Sequence, residues 1–145
     1  MTTAALPEPS GATTLLDPPR RILVVDDEVD QVTALSYRLQ KLGYVTATAN
    51  SGEQAVELAN STVPDLILLD LGLPDGSGFD VCEQLGESST TCAIPVIIVS
   101  GMETEDVIRR ARAVGSSYYL RKPYDPNVLL TLIQYTLDSH QNLGW

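Results

Sequence analysis

The fold is decided by the stretch Pro64–Gly76, which reads PDLILLDLGLPDG. Leu66–Leu69 is an apolar run without alternation, which is typical of a strand buried on both faces of a parallel sheet. Asp70 follows at once, and a turn rich in glycine and proline comes after it. Because open α/β sheets bind their ligands at the carboxyl ends of the strands, we expect Asp70 to lie at a binding edge. An ionised carboxylate beside so much apolar surface needs a cation or a hydrogen-bond donor next to it.

The length and composition are typical of one globular domain. The chain has 145 residues, of which 43% are hydrophobic, and a net charge of −10. This acidity argues against binding of nucleic acid through a basic surface and favours metal cations and protein partners. No stretch approaches the roughly 18 consecutive apolar residues of a membrane span, and the N-terminus lacks the pattern of an export signal. We therefore expect a cytoplasmic protein with no membrane or nucleic-acid partner, in which Cys82 and Cys92 are reduced thiols.

Four further segments are predicted to be strands, so that strands and helices alternate along the chain. Ile22–Val25 and Val96–Val99 are apolar runs like the one before Asp70, whereas residues 44–48 and 116–120 are more mixed. Strict alternation predicts a parallel sheet with helices on both faces, joined by right-handed crossovers. The predicted fold class is α/β: a doubly wound, five-stranded parallel sheet of the flavodoxin-like (βα)5 type, with strand order 2-1-3-4-5.

Local signals predict where the helices begin and end. Gly43 is expected to stop the first helix, Ser51–Gln54 has the pattern of a capping box, and Asp125 precedes Pro126 as an N-cap before a proline at N1. Two middle helices are predicted to present apolar faces to the core, formed by Phe79, Cys82 and Leu85, and by Val107, Ala111 and Val114.

The chain is expected to divide into three parts. Residues 1–20 contain four prolines and no apolar period, which predicts a disordered N-terminal arm. Residues 21–140 form the folded domain, and residues 141–145 are a C-terminal tail. We expect no output domain after the last helix, so that the protein acts through a partner.

Acidic residues follow the first and third predicted strands, which are neighbours in the predicted sheet order. Asp26 and Asp27 follow the first strand, and Asp70 follows the third. Like charges about 4 Å apart repel by roughly 4 kcal/mol at an effective dielectric near 20, so such a cluster either raises a pKa or binds a divalent cation. Because no histidine or cysteine lies near these acids in the predicted sheet, the hard ions Mg²⁺ or Mn²⁺ fit best. A carboxylate whose charge is offset by Mg²⁺ can attack phosphorus.

The fourth and fifth predicted strands are also followed by side chains that can take part in chemistry. Ser100 follows the fourth strand and provides a hydroxyl group, and Lys122 follows the fifth and provides a cation on a long stem. Lys122 can hold phosphate oxygens as a point charge. Pro123 is expected to fix the turn after it, with a cis peptide bond as one option.

These residues resemble the receiver domain of two-component response regulators, and the chain is similar to the stand-alone, chemotaxis-regulator type. The resemblance covers about Arg21 to the end of the last helix. It is carried by Asp26-Asp27, by Asp70 in LLDLGLPDGSG, by Ser100 in PVIIVSG, and by Tyr119–Pro123 in YLRKP.

The resemblance implies a role for each of these positions. Asp70 is expected to accept a phosphoryl group from a phosphohistidine on a sensor histidine kinase or a histidine phosphotransfer protein. Lys122 is expected to pair with the phosphoryl oxygens. Ser100 and Tyr119 are expected to form a switch that reshapes the surface of helix 4, strand 5 and helix 5 for a downstream protein. The implied magnesium ligands are Asp26, Asp27, Asp70 and the backbone carbonyl of Gly72.

Some positions depart from the commonest pattern of the family. Ser100 replaces a frequent threonine and keeps the hydroxyl, and Gly101 replaces a frequent alanine. Gly72 and Met102 have no polar side chain to position a hydrolytic water, which predicts slow autodephosphorylation.

Three alternatives compete with the phosphoacceptor interpretation. A phosphatase of the haloacid-dehalogenase type needs a second aspartate two residues after the nucleophile, where this chain has Gly72. A flavodoxin-like cofactor-binding protein is disfavoured because the acids at residues 26–28 repel an anionic cofactor. A receiver-like interaction module that acts without phosphorylation stays open. Apart from its own phosphorylation and autodephosphorylation, we expect no enzymatic activity.

Overall fold

Five parallel strands form the central sheet. The computed structural model of the protein describes residues 18–101 and 105–143, and for residues 105 and 140–143 it describes the backbone alone. The strands are β1 (Arg21–Val25), β2 (Val45–Ala49), β3 (Leu66–Leu69), β4 (Val96–Ser100) and β5 (Tyr118–Arg121). Their order in the sheet is β2-β1-β3-β4-β5, and every neighbouring pair is parallel. The predicted fold class and strand order are confirmed.

Five helices connect the strands or follow the last one. They are α1 (Val29–Lys41), α2 (Gly52–Thr62), α3 (Gly78–Glu87), α4 (Glu105–Ala113) and α5 (Pro126–Leu143). Gly43 has a φ of +98°, a left-handed value that glycine adopts without strain, so the predicted stop of the first helix is confirmed.

The predicted N-terminal caps are confirmed for two helices. The Ser51 hydroxyl accepts a hydrogen bond from the Gln54 N–H at 3.2 Å, at the start of α2. At the start of α5, Asp125 Oδ1 accepts one from the Asn127 N–H at 2.9 Å. Each bond satisfies a backbone donor that has no partner within its own helix.

The sheet separates two apolar cores. The helices α2, α3 and α4 cover one face, and α1 and α5 cover the other. In β3, Ile67 and Leu69 enter the first core, and Leu66 and Leu68 enter the second. All four side chains are at most 2% exposed, and each stabilises the fold by about 1.5–3 kcal/mol relative to an exposed one. The prediction of a strand buried on both faces is confirmed.

Several details of the structure go beyond what the sequence pattern predicts. A short antiparallel hairpin, Gly72–Leu73 with Gly76–Ser77, occupies the segment predicted only as a turn. On α4, Asp106 pairs with Arg109, three positions further on, at 3.6 Å. The guanidinium of Arg110 lies 4.3 Å from the centroid of the Phe79 ring, an arrangement that favours a cation–π interaction.

Several predictions lie outside the described residues. They concern residues 1–17 of the N-terminal arm, Met102, and residues 144–145 of the tail. Within the described part of the chain, none of the helices has the length and apolar character needed to cross a membrane.

Candidate functional site

Three carboxylates meet at the carboxyl edge of the sheet. Asp26 and Asp27 follow β1, and Asp70 follows the neighbouring parallel strand β3. One oxygen from each of the three side chains lies within 4.8 Å of the others. Asp26 is 8% exposed and Asp70 is 9% exposed, whereas Asp27 faces solvent. The structure therefore brings these acids together, as the predicted topology requires.

Lys122, just after β5, reaches across the sheet edge into this cluster. Its Nζ lies 2.6 Å from Asp26 Oδ2, 3.1 Å from Glu28 Oε1 and 3.5 Å from Asp70 Oδ2. The lysine side chain is 16% exposed, so the ammonium is largely shielded from solvent. The peptide bond from Lys122 to Pro123 is cis, which is the option that the sequence left open.

Burial and charge shift the acid–base behaviour of two side chains. Burial raises the pKa of Asp70 above its ordinary value, with the Asp26 charge adding to it. The Lys122 charge and hydrogen bonds from the Gly72 N–H and the Ser100 side chain work in the opposite direction. For Lys122, burial lowers the pKa, but the hydrogen bond and charge of Asp26 and the charge of Asp70 outweigh it and raise the pKa. Lys122 therefore stays a cation at neutral pH.

Two of the remaining predicted site residues, Ser100 and Gly72, are hydrogen-bonded to Asp70. Ser100, the last residue of β4, is 1% exposed and its side chain is hydrogen-bonded to Asp70. The Gly72 N–H donates to Asp70 Oδ1 at 3.3 Å. Tyr119 lies on β5, half-buried, and packs against the core under α4. All four strands that the sequence assigns to the site therefore deliver their residues to one edge of the sheet.

The cluster fits a hard divalent cation. Asp26, Asp27 and Asp70 form the cluster, and Lys122 pairs with Asp26, Asp70 and the nearby Glu28, so these carboxylates outnumber the lysine that pairs with them. The donor atoms are all oxygen, which Mg²⁺ and Mn²⁺ prefer. Mg²⁺ binds through few carboxylates and retains waters, and this suits a shallow site at a sheet edge.

Two polar contacts were missed by the sequence reasoning. The Glu28 contact with Lys122 joins residues 94 positions apart, and it depends on how far the two side chains reach across the sheet edge. Asp75 binds the N-terminus of α2 through two backbone N–H groups. Its position after a proline, within a turn next to Asp70, was the available signal.

The family of the chain is decided by a comparison with protein-family models. The model described as the response regulator receiver domain matches residues 22–134. This chain is a member of the response regulator receiver domain family. The matched range contains both ends of the site, from Asp26 to Lys122, and the predicted resemblance is confirmed.

Curated relatives of this receiver domain differ in length. It is 37% identical to the protein PilH of Pseudomonas aeruginosa over 117 residues, which are 81% of this chain and 97% of PilH. It is 38% identical over 107 residues to PhoP of Bacillus subtilis, an alkaline phosphatase synthesis transcriptional regulatory protein. That match covers 74% of this chain but only 44% of PhoP, so this chain spans less than half the length of that relative.

Solved structures have the same fold as this receiver domain. A CheY-like response regulator receiver domain protein from Methanospirillum hungatei superposes with a TM-score of 0.83 at 25% identity, over 87% of this chain and 99% of that one. The chemotaxis response regulator CheY4 of Vibrio cholerae superposes with a TM-score of 0.76 at 27% identity, over 81% and 98%.

Proposed function

We propose that this receiver domain is a phosphorylation switch in which Asp70 accepts a phosphoryl group from a phosphohistidine. The donor would be a sensor histidine kinase or a histidine phosphotransfer protein. The observation that carries the proposal is the meeting of Asp26, Asp27, Asp70 and Lys122 at one edge of the sheet. Membership of the receiver family supports the same function.

The chemistry proposed for Asp70 is a direct displacement at phosphorus. A carboxylate oxygen of Asp70 forms a bond to phosphorus while the bond from phosphorus to the imidazole nitrogen of the donor breaks. The imidazole leaves with the electron pair of that bond and takes up a proton. The Lys122 ammonium, 3.5 Å from Asp70 Oδ2, is near enough to pair with the oxygens of the phosphoryl group.

Asp26, Asp27, Asp70 and the backbone carbonyl of Gly72 would hold Mg²⁺, or Mn²⁺ in its place. A bound ion supplies positive charge that reduces the repulsion between an anionic phosphoryl donor and the carboxylates. Lys122 supplies one positive charge to the same cluster, and the Glu28 carboxylate, 3.1 Å from its Nζ, helps to orient it.

The output would pass through a partner protein. Ser100 and Tyr119 would respond to the phosphoryl group and change the surface formed by α4, β5 and α5. Exposed apolar side chains on this surface, Ile108, Val128 and Tyr135, support its use as a contact for a protein. We propose a cytoplasmic signalling protein, and no turnover of an external substrate.

The first test is incubation with acetyl phosphate and Mg²⁺, followed by intact-mass measurement. Wild type is expected to gain one phosphoryl group and Asp70→Asn none. Gain by both proteins would exclude Asp70 as the acceptor. Gain by neither would favour the phosphorylation-independent interaction module, and steady release of phosphate from a phosphomonoester would favour the phosphatase.

A further inference from the structure

Asp75 joins two loops that are far apart in the sequence. It lies at the tip of the short hairpin after β3, where its Oδ1 accepts a hydrogen bond from the Gly52 N–H at 2.7 Å. Its Oδ2 accepts another from the Glu53 N–H at 3.0 Å. Both donors belong to the first turn of α2, whose N-terminal N–H groups have no partner within the helix and favour a negative charge. Ser51 satisfies a different donor, so the cap of Asp75 does not duplicate that of Ser51.

From Asp75 the hairpin leads directly back to the phosphorylation site. Gly72 pairs with Ser77 across the hairpin, and the Gly72 N–H donates to Asp70 Oδ1 at 3.3 Å. The base of the hairpin is closed by the Gly78 N–H, which donates to the Leu71 carbonyl at 2.9 Å. Fixing the tip of this hairpin therefore restrains the segment that contains Gly72.

From the other side, α2 is connected to the loop that carries Asp26. The strand before α2 ends at Ala49, whose carbonyl accepts the Asp26 N–H at 3.0 Å. Hydrogen bonds thus connect the loop after β1 to the end of β2, and the start of α2 to the hairpin after β3. The bonds of Asp75 to α2 are the second of these connections.

The close approach of Asp75 to α2 depends on a glycine. A Cβ at Gly52 would lie 3.3 Å from Asp75 Oδ1 and 3.0 Å from Val81 Cγ2. Either the carboxylate or the valine would have to shift for any other residue at position 52. The two N–H bonds also lower the pKa of Asp75, which keeps the carboxylate charged at neutral pH.

We propose that Asp75 is a positioning residue for the metal site. By tying the hairpin to the N-terminus of α2, it holds the Gly72 carbonyl at the carboxylate cluster and so sets the affinity for Mg²⁺. The inference rests on the proposed function, since it assumes that the Gly72 carbonyl is a metal ligand. Asp75 is exposed, so we expect water to replace its two bonds in a variant and the fold to survive while the connection between the loops is lost.

The test compares Mg²⁺ binding to the folded wild type and to Asp75→Ala by isothermal titration calorimetry. Partners of metal ligands typically contribute about tenfold to hundredfold to metal affinity, and Asp75 acts one step further out. We therefore expect the Mg²⁺ dissociation constant to rise about threefold to tenfold. The initial rate of phosphorylation by acetyl phosphate is expected to fall at limiting Mg²⁺ and to recover at saturating Mg²⁺.

Two control variants distinguish a loss of loop positioning from a loss of helix stability and from a change in local charge. Ser51→Ala removes the other cap of the same helix and is expected to lower the melting temperature without changing Mg²⁺ affinity. Asp80, on α3, lines the same surface groove as Asp75, and Asp80→Asn removes one negative charge from it. In the described part of the chain, Asp80 makes no hydrogen bond to α2. The variant is expected to leave Mg²⁺ affinity within about twofold of wild type, because long-range surface charges are screened by salt.

The possible outcomes are distinct. An unchanged Mg²⁺ affinity in Asp75→Ala, or an equal loss in Ser51→Ala, overturns the positioning role. Asp75→Asn keeps the shape of the side chain and carries the comparison if the alanine variant is unfolded at the temperature of the measurement. Failure of the wild type to take up phosphate would overturn the proposed function instead, while the Mg²⁺ comparison still decides the role of Asp75.

Discussion

Lys122 is paired with the carboxylates that would hold the proposed metal ion. Its ammonium lies 2.6 Å from Asp26 and 3.5 Å from Asp70, where it neutralises part of the charge that would attract Mg²⁺. The same ammonium is the group placed to pair with phosphoryl oxygens. We therefore expect Lys122 to weaken Mg²⁺ binding and to speed phosphorylation, and a single substitution can separate these two effects.

Lys122→Met is expected to bind Mg²⁺ more tightly and to be phosphorylated more slowly. The carboxylates lose their competing cation, while the phosphoryl group loses a positive charge worth about 10²–10³ in rate at comparable sites. Calorimetry with Mg²⁺ and the initial rate with acetyl phosphate measure the two effects. The control is Lys41→Met, which removes the only other lysine, one that lies over the ring of Tyr37 on α1. Weaker Mg²⁺ binding in Lys122→Met would contradict this account of the cluster.

The start of α3 is packed against the backbone that carries the proposed phosphoacceptor. A Cβ at Gly78 would lie 2.7 Å from the Asp70 carbonyl oxygen and 2.9 Å from Leu71 Cα. Both are main-chain atoms, which cannot yield as a flexible side chain does. Gly78 is therefore required by the close approach of α3 to the end of β3.

Two glycine substitutions in α3 are expected to have opposite effects on stability. Gly78→Ala overpacks the loop and is expected to lower the free energy of unfolding by about 1–3 kcal/mol. Gly86→Ala, in the same helix, has no atom within 4 Å of its new Cβ and is expected to raise that free energy by about 0.5–1 kcal/mol. Urea denaturation followed by far-ultraviolet circular dichroism measures both. Equal changes in the free energy of unfolding in the two variants would show that the close contact of Gly78 with the Asp70 carbonyl does not constrain the residue at position 78.

At the scale of elements, sequence patterns predict the features that depend on residues close together in the chain, such as the ends of helices. Gly43, Ser51 and Asp125 are local signals, and the ends of their helices were predicted correctly. The bonds of Asp75 to α2 were not predicted, because they join residues 22 and 23 positions apart whose spacing has no periodic signature. Such contacts depend on how the hairpin after β3 lies against α2, which periodicity does not supply.

At the scale of the whole molecule, topology made the site predictable. The acids after β1 and β3 meet because the two strands are parallel neighbours, which follows from the strand order 2-1-3-4-5. The contact of Lys122 with Glu28 was missed because it depends on side-chain lengths across the sheet edge. The functional roles of these residues remain predictions, which the experiments above test.

Mg²⁺ is expected to stabilise the whole domain. Binding to the folded state alone adds about 2.7 kcal/mol to the free energy of unfolding when the ion is at 100 times its dissociation constant. Asp27→Asn is expected to lose most of this gain in stability, seen as a smaller Mg²⁺-induced rise in melting temperature, because it removes one of the proposed ligands. The matched control, Asp30→Asn, makes the same change of charge in the first turn of α1, outside the cluster.

The comparison is made by thermal denaturation with and without MgCl₂, with NaCl at equal ionic strength as the reference. Without Mg²⁺, Asp27→Asn is expected to melt no lower than wild type, because one source of repulsion between like charges is gone. Equal Mg²⁺ shifts in Asp27→Asn and in Asp30→Asn would mean that the ion acts through general screening.

The position of β3 has a consequence for how a signal can leave the site. The side chains of β3 pack alternately into the two cores. Both faces of the strand before Asp70 are therefore packed, and we expect the strand to move little. Native-state hydrogen exchange is therefore expected to be slowest in β3 and to stay so after phosphorylation. If Asp70 is the phosphoacceptor, as proposed, it would stay fixed in place, and we expect the motion that reports its chemical state to occur at the edge of the sheet, on the side of β5.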